Sequence, residues 1–163
     1  MKKTNLSFKD IKLVGTTCRT SNELEFNPLT AKIGQTLEYY FQNGLSEKIV
    51  NRKTPGITYC VYTDYESDWT GSYTYFVGEE VTSFSDVSEN LSELVIPSQH
   101  YTKFTSEAGT MPKVCIEMWQ QIWQMTAKDF GSERAYLADF KAYDDRAKDP
   151  TNTILDIYIG LKN

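Results

Sequence analysis

The chain has 163 residues, of which 40% are hydrophobic and 13% aromatic, including eleven tyrosines. This length predicts one compact domain over residues 1–163 with a full hydrophobic core. A net charge of -5, with no basic run longer than Lys2-Lys3, excludes direct binding to nucleic acid. Three widely spaced cysteines predict no disulfide framework and no zinc site, and the N-terminus lacks the apolar stretch of a signal peptide. We therefore expect a protein of the reducing cytoplasm without membrane association.

The first part of the chain predicts a strand followed by an amphipathic helix. Residues 8–19 are a strand candidate, and the polar residues 20–25 are predicted to form a loop. Asn27 before Pro28 predicts the start of the helix, because asparagine is a good N-cap and proline suits the first turn. Asn43-Gly44 is typical of a helix end.

The next segment predicts a hairpin. Residues 57–63 and 73–77 read as its two strands, with Asp68 and Gly71 in the turn region between them. Alternation places Tyr59 on one face of its strand and Cys60 on the other. The sequence Gly78-Glu79-Glu80 predicts a strand end with solvated acids, and residues 84–90 predict a polar link to the second half.

The second half predicts the same order of elements. Residues 94–105 form a strand that is bent or broken at Pro97. A helix then starts at Pro112, with one apolar stripe, and the final strand pair covers residues 136–143 and 154–159. The stripe consists of Cys115, Trp119, Ile122 and Trp123, flanked by Met118 and Met125.

Corresponding elements of the two halves lie about 80 residues apart, which indicates two copies of one unit. The copies cover approximately residues 8–81 and 91–161. Two pseudo-symmetric units must meet at a seam, and a seam lined with aromatic side chains is a natural groove for a small molecule.

Sequence patterns for catalysis and cofactor binding are absent. The chain lacks the nucleophile elbow, the phosphate-binding loop, the zinc-protease motif and the dinucleotide fingerprint. The single histidine, His100, is predicted to lie at the surface or a strand edge. Glu117, Asp139 and Asp156 are carboxylates that could lie near a pocket, and nothing in the sequence singles one out. We predict no catalytic residue, no metal and no cofactor.

A series of segments resembles a known family. YTDYESDWTGSYTYFVGEEV, YTKFTSEAG, MWQQIW, RAYLADFKAYD and LDIYIGL follow one another in the order seen in GyrI-like effector-binding domains of AraC-type and MerR-type regulators. The resemblance covers about residues 11–161 and is closest to the stand-alone, integron-cassette-type branch. It implies an α+β fold of duplicated β-α-β-β units, with an antiparallel sheet, two helices and a ligand groove at the pseudo-twofold seam.

The resemblance also implies a function. Members of this family bind amphipathic, often cationic, small molecules through stacked aromatic rings and an inward carboxylate. Some members are fused to DNA-binding domains, some inhibit gyrase and some hydrolyse small molecules. Where the family has a glutamate near the end of the chain, this sequence has a lysine, in Asp139-Phe140-Lys141-Ala142-Tyr143.

Lys141 changes the expectation for the ligand. Alternation places Asp139, Lys141 and Tyr143 on one face, and we expect Phe140 and Ala142 to face the helices. A lysine in the groove would disfavour a cationic ligand, so we hypothesise a preference for neutral or anionic amphiphiles. In the alternative, Lys141 extends to solvent and Asp139 or Asp156 supplies a negative charge.

The expected function is that of a stand-alone protein that binds an amphipathic or aromatic small molecule. A protein-interaction module, with gyrase or a separate DNA-binding regulator as partner, is the alternative, and a small hydrolase is a further one. Trp69, in a turn, is predicted to be either a lid or an exposed ring. The candidate ligand-binding residues are Tyr59, Tyr75, Trp119, Trp123, Lys141, Tyr143 and Tyr158.

Overall fold

The computed structural model describes residues 1–163 and shows a mixed α+β fold, as predicted. The strands are β1 Lys2–Phe8, β2 Ile11–Ser21, β3 Thr58–Thr63, β4 Ser72–Glu80, β5 Ser92–Ile96, β6 Gln99–Thr105, β7 Ala138–Tyr143 and β8 Asp156–Leu161. The helices are α1 Asn22–Glu25, α2 Ile33–Gln42, α3 Lys113–Gln124 and α4 Ala127–Phe130, with short 3-10 turns at Leu45–Lys48 and Asp145–Ala147. None of the helices combines the length and the apolar character needed to cross a membrane.

All eight strands form one antiparallel sheet in the order β1-β6-β8-β7-β3-β4-β2-β5, in which corresponding strands of the two halves of the chain lie at equal distances from the centre. Each half contains one β-α-β-β unit, β2-α2-β3-β4 or β6-α3-β7-β8, and the two units meet where β3 pairs with β7. The edge strands are exchanged between the units. β1 precedes the first unit but pairs with β6, whereas β5 precedes the second unit but pairs with β2. The pseudo-twofold axis therefore passes between β3 and β7.

The long helices α2 and α3 pack on the same face of the sheet. α2 buries Tyr40 in a cluster with Tyr75, and α3 buries Met118 and Ile122 in a cluster with Ile157. The buried face of α3 is rotated relative to the predicted apolar stripe. Met118, predicted to flank the stripe, is buried, whereas Trp123, predicted to lie on it, is 40% exposed. This rotation leaves the tryptophan side of α3 free to border a cavity.

The opposite face of the sheet carries an aromatic layer without a helix. Phe140 stacks on Tyr158 with ring centroids 4.4 Å apart, and Phe8 and Tyr101 pack beside them. The prediction that Phe140 and Ala142 face the helices is therefore wrong. Alternation correctly grouped the residues of β7, but both faces of this strand are buried, so burial does not distinguish the helix side.

The helix predicted to start at Pro28 is α2, and it begins later in the chain. Asn27 and Pro28 lie in a turn, and α2 starts only at Ile33. The carboxylate of Glu25 accepts hydrogen bonds from the backbone N–H groups of Lys32 (2.9 Å) and Ile33 (3.1 Å). A carboxylate at this end also complements the helix dipole. A residue distant in sequence from the first turn thus decides where α2 begins.

Two other elements differ from the predictions. The predicted loop over residues 20–25 contains the one-turn helix α1, capped by Ser21, whose side chain accepts from the N–H of Leu24 at 3.2 Å. The sequence interpretation also missed β1, whose largely exposed residues lack an apolar alternation. The predicted break at Pro97 separates two strands, β5 and β6, which pair with different neighbours.

The acids at the end of β4 are not the solvated pair that was predicted. The Glu79 side chain is only 3% exposed, lies 3.5 Å from Arg52 and accepts from the N–H of Gly56 at 3.2 Å. Glu80 is 15% exposed and accepts from the hydroxyl of Tyr59 at 3.2 Å. Both acids are parts of the folded core and its border.

Candidate functional site

An aromatic cavity of about 230 Å³ lies at one end of the seam, between α1, the start of α2 and the end of α3. Most of its wall consists of aromatic rings from five parts of the chain: the connection after α1, β3, the turn after β3, β4 and α3. We call it the aromatic cavity, and its lining residues are Asn22, Glu25, Phe26, Ile33, Tyr62, Tyr65, Trp69, Tyr73, Trp119, Trp123 and Arg134.

The rings of the aromatic cavity pack against one another. Trp119 and Trp123 stand one turn apart on α3 and stack with ring centroids 6.4 Å apart and planes at 29°. Tyr62, from β3, meets Trp119 edge-on at 5.2 Å and lies 5.5 Å from Tyr73. These ring–ring contacts have the offset and edge-on geometries that aromatic pairs favour.

Asn22 joins the turn after β3 to the rest of the wall. Its side-chain amide donates to the carbonyl of Trp69 (3.0 Å), and its amide oxygen accepts from the hydroxyl of Tyr73 (2.9 Å). Trp69 is 45% exposed and borders the cavity, so it is an element of the wall and not an isolated surface ring.

The charged groups beside the aromatic cavity are already paired. Arg134 lies 2.8 Å from Asp139, a fully buried carboxylate that also accepts from the hydroxyl of Tyr65 (2.6 Å) and the N–H of Gly160 (2.7 Å). The carboxylate of Glu25 is occupied by the first turn of α2. A ligand in this cavity would therefore contact mainly aromatic surface and no unpaired charge.

The hydroxyl groups of the wall remain protonated at neutral pH. Burial raises the pKa of Tyr62 to about 12, against the lowering effect of nearby Lys141. Burial, followed by the charge of Asp139, raises the pKa of Tyr65 well above its ordinary value. The indole Nε1 of Trp119 is buried without a hydrogen-bond partner.

A second cavity, of about 370 Å³, lies at the other end of the seam and shares no lining residue with the first. We call it the lysine cavity. Its wall includes Leu37 and Phe41 of α2, Met111 before α3, and Lys141 and Tyr143 of β7. Tyr62 and Lys141 separate the two cavities, with the ammonium 5.7 Å from the centre of the ring.

Lys141 is 7% exposed, so the alternative in which it extends to solvent is wrong. Its Nζ contacts the Sγ of Cys115 at 3.9 Å and lies 5.6 Å from the ring centre of Tyr143. Burial opposes the ammonium form of Lys141, whereas the ionised hydroxyls of Tyr62, Tyr75 and Tyr143 raise its pKa. Those hydroxyls are protonated at neutral pH, so there the Lys141 side chain contacts neutral groups, namely two ring faces and a thiol.

The carboxylates considered as substitutes for the family's acid have other partners. Asp139 pairs with Arg134, and Asp156 pairs with Arg146 at 2.6 Å while accepting from the hydroxyl of Thr105 at 2.6 Å. Glu117, on α3, is exposed. None of these three lines either cavity at the seam.

The structure brings four of the seven predicted ligand-binding residues to the two cavities. Trp119 and Trp123 border the aromatic cavity, and Lys141 and Tyr143 border the lysine cavity. Tyr75 is fully buried behind Tyr62, with ring centroids 5.3 Å apart. Tyr59 and Tyr158 belong to the aromatic layer on the face without helices.

Sequence reasoning missed several residues of the aromatic cavity. Tyr62 shares a strand face with Cys60, and that face was not assigned to the helices. Arg134 lies in a segment without regular periodicity, and only the fold brings it near Asp139. The cluster of aromatic residues around the predicted hairpin turn was the available signal for Tyr65 and Tyr73.

Comparison with known proteins places the chain among effector-binding proteins. Residues 7–161 match the family described as Cass2, integron-associated effector binding protein. The putative transcriptional regulator protein YobU of Bacillus subtilis is 26% identical over 160 residues, which span 98% of this chain and 96% of YobU.

Two solved structures share the fold over almost the whole chain. The integron cassette protein VCH_CASS2 from the mobile metagenome of Vibrio cholerae is 29% identical with a TM-score of 0.78, covering 98% of this chain and 95% of its own. SAV2435, solved bound to tetraphenylphosphonium, is 18% identical with a TM-score of 0.76, covering 100% of this chain and 95% of its own.

Proposed function

This chain belongs to the integron-associated effector-binding protein family, and we propose that it binds amphipathic, aromatic small molecules. The observation that carries the proposal is the aromatic cavity, whose rings come from the connection after α1, β3, the turn after β3, β4 and α3. An aromatic ligand would stack between Trp123 and the tyrosines and would displace water from apolar surface. Binding and not turnover is proposed, because the wall holds no nucleophile activated by a base.

The form of the ligand follows from the wall. Ring faces bind apolar and aromatic groups and also attract cations, whereas the paired charges of Arg134 and Glu25 give no strong selection by themselves. We propose that shape and aromatic surface decide affinity in this cavity and that ligand charge has a smaller effect.

Tetraphenylphosphonium and tetraphenylborate test the proposal, because they have nearly the same shape and opposite charge. All three tryptophans of the chain, Trp69, Trp119 and Trp123, line the aromatic cavity, so intrinsic fluorescence reports directly on its occupation. Saturable quenching together with an increase in melting temperature would support the proposal, because a ligand that binds only the folded state stabilises it.

A variant pair locates the binding. Trp123→Ala removes a partly exposed ring and should weaken binding about tenfold, roughly 1.4 kcal/mol. The matched control is Tyr39→Ala, an exposed aromatic residue of α2 that borders neither cavity and should bind as the wild type does. The proposal fails if neither ion gives a saturable signal or if Trp123→Ala binds both as tightly as the wild type.

A protein-partner function is a second candidate, supported by exposed apolar residues beside the aromatic cavity. Leu29 is 92% exposed and Phe26 is 75% exposed, both in the connection between α1 and α2. A gyrase or a separate DNA-binding regulator would bury these side chains. Inhibition of DNA supercoiling by gyrase that is lost in a Leu29→Ser variant would favour this function, and unchanged supercoiling at saturating protein would count against gyrase.

A further inference from the structure

The lysine cavity presents a buried positive charge without a negative partner. Lys141 belongs to none of the nine ion pairs of the structure. Its Nζ contacts the thiol of Cys115 at 3.9 Å, a weak acceptor, and the hydroxyl of Tyr62 lies close enough to interact with it. A buried ammonium loses hydration, and two ring faces and a thiol replace only part of it.

Other charges at the lysine cavity are neutralised within the protein. Asp144 pairs with Arg146 at 2.9 Å, and Lys148 pairs with Asp145 at 2.9 Å with 78% of its side chain exposed. Lys141 is thus the one buried charged group of the cavity wall that has no oppositely charged neighbour. An anion entering the cavity would meet this ammonium in surroundings where water screens little.

The remaining wall is suited to an apolar chain. Leu37 and Phe41 of α2 and Met111 before α3 line the same cavity as Lys141, which also has polar lining residues such as Thr58. Phe41 is 61% exposed, so apolar surface extends from the cavity to the outside of the protein. A buried lysine without a carboxylate partner, beside the apolar side chains of this wall, matches a molecule with a single anionic head and an apolar tail.

We propose that the lysine cavity is a second ligand site, selective for amphiphilic carboxylates, in which the head group pairs with Lys141 and the apolar body lies against Leu37, Phe41 and Met111. This site does not depend on the proposed function, because the two cavities share no lining residue. The protein then has two chemically different sites at the two ends of one pseudo-symmetric seam.

Three ligands with the same chain and different head groups test the proposal: decanoate, decan-1-ol and decyltrimethylammonium, each below its micelle concentration. We expect calorimetry to show that decanoate binds at least about tenfold more tightly than decanol, which corresponds to about 1.4 kcal/mol. Decyltrimethylammonium should bind more weakly than decanol. Equal binding of decanoate and decanol would overturn the proposal.

Variants identify the charge that is responsible. Lys141→Met keeps an apolar side chain of similar length and should make decanoate and decanol bind equally. Lys113→Met, which removes an exposed lysine of α3, should keep the preference for decanoate. If Lys141→Met retains the preference, or if Lys148→Met removes it, the head group binds elsewhere and the proposal is wrong.

Two further measurements test the site without relying on the folding of a Lys141 variant or on ligand binding in the aromatic cavity. In the wild type, decanoate but not decanol should shift the NMR signals of the Lys141 Cε and its protons, which requires no variant to fold. Decanoate should also bind with unchanged affinity to Trp123→Ala, because that variant alters only the aromatic cavity. An unshifted Lys141 signal at saturating decanoate would refute the site.

Discussion

The most demanding prediction concerns the ion pair beside the aromatic cavity. Asp139→Asn keeps the shape of the side chain but removes the charge opposite Arg134, whose side chain is 10% exposed. Loss of one partner leaves the other charge buried and unpaired, which costs about 3–5 kcal/mol of unfolding free energy. For a chain of this length, each kcal/mol lowers the melting temperature by about 2–4 °C, so a decrease of roughly 6–20 °C is expected.

Urea unfolding at pH 7, followed by tryptophan fluorescence, measures the effect of this substitution. Glu133→Gln is the control, because the ion pair of Glu133 with Lys162 is 60–70% exposed and screened by solvent, so its loss should change stability little. Adding Arg134→Met to Asp139→Asn removes the orphan charge and should recover part of the loss. A cost for Asp139→Asn no larger than that of Glu133→Gln, or a double variant no more stable than the single one, would refute the reasoning.

Three further predictions test other parts of the structure. Tyr65→Phe removes the 2.6 Å hydrogen bond to the buried Asp139 and should cost about 1.5–3 kcal/mol in urea unfolding; a cost below about 0.5 kcal/mol would contradict the proposed network. Gly15→Ala should destabilise by more than about 2 kcal/mol, since its Cβ would lie 2.7 Å from the Cα of Gly78 on β4 and closer still to a backbone oxygen; a neutral effect would show that β2 and β4 can separate. Burial raises the pKa of the Glu79 carboxyl, so the folded state binds the carboxyl proton more tightly than the unfolded state does. The stability that this proton contributes is lost as pH rises through the raised pKa. The stability of the wild type relative to Glu79→Gln should therefore fall as pH rises above about 4.5, and a rise would contradict the assigned shift.

The regular elements were the most predictable part of the fold. Alternation in β3 and the spacing of apolar residues in α3 come from local geometry, which a short stretch of sequence expresses directly. β1 was missed because it is an edge strand, largely exposed, whose pairing with β6 leaves little apolar signal in its own residues. The start of α2 was misplaced because Glu25, outside the helix, caps it.

The candidate site was predictable only in part, for a geometric reason. The sequence indicates that Tyr59 and Tyr62 lie on opposite faces of β3, but it does not say which face holds the helices. Both faces are buried in this protein, so apolar character gives no answer. The prediction therefore named Tyr59 as a ligand-binding residue, whereas Tyr62 is the residue of β3 that borders the aromatic cavity.

The sequence by itself determined the repeated order of strands and helices, because this order depends on local periodicity, whereas the antiparallel α+β fold and the exchange of an acid for Lys141 were implied by the family resemblance. Only the tertiary structure decided which aromatic residues meet, that Asp139 pairs with Arg134, and that Lys141 is buried without a carboxylate partner. The pairing of β3 with β7 sets Cys60 opposite Lys141 across residues far apart in the chain. The surroundings of a charged group depend on such long-range neighbours, and no local pattern of residues encodes them.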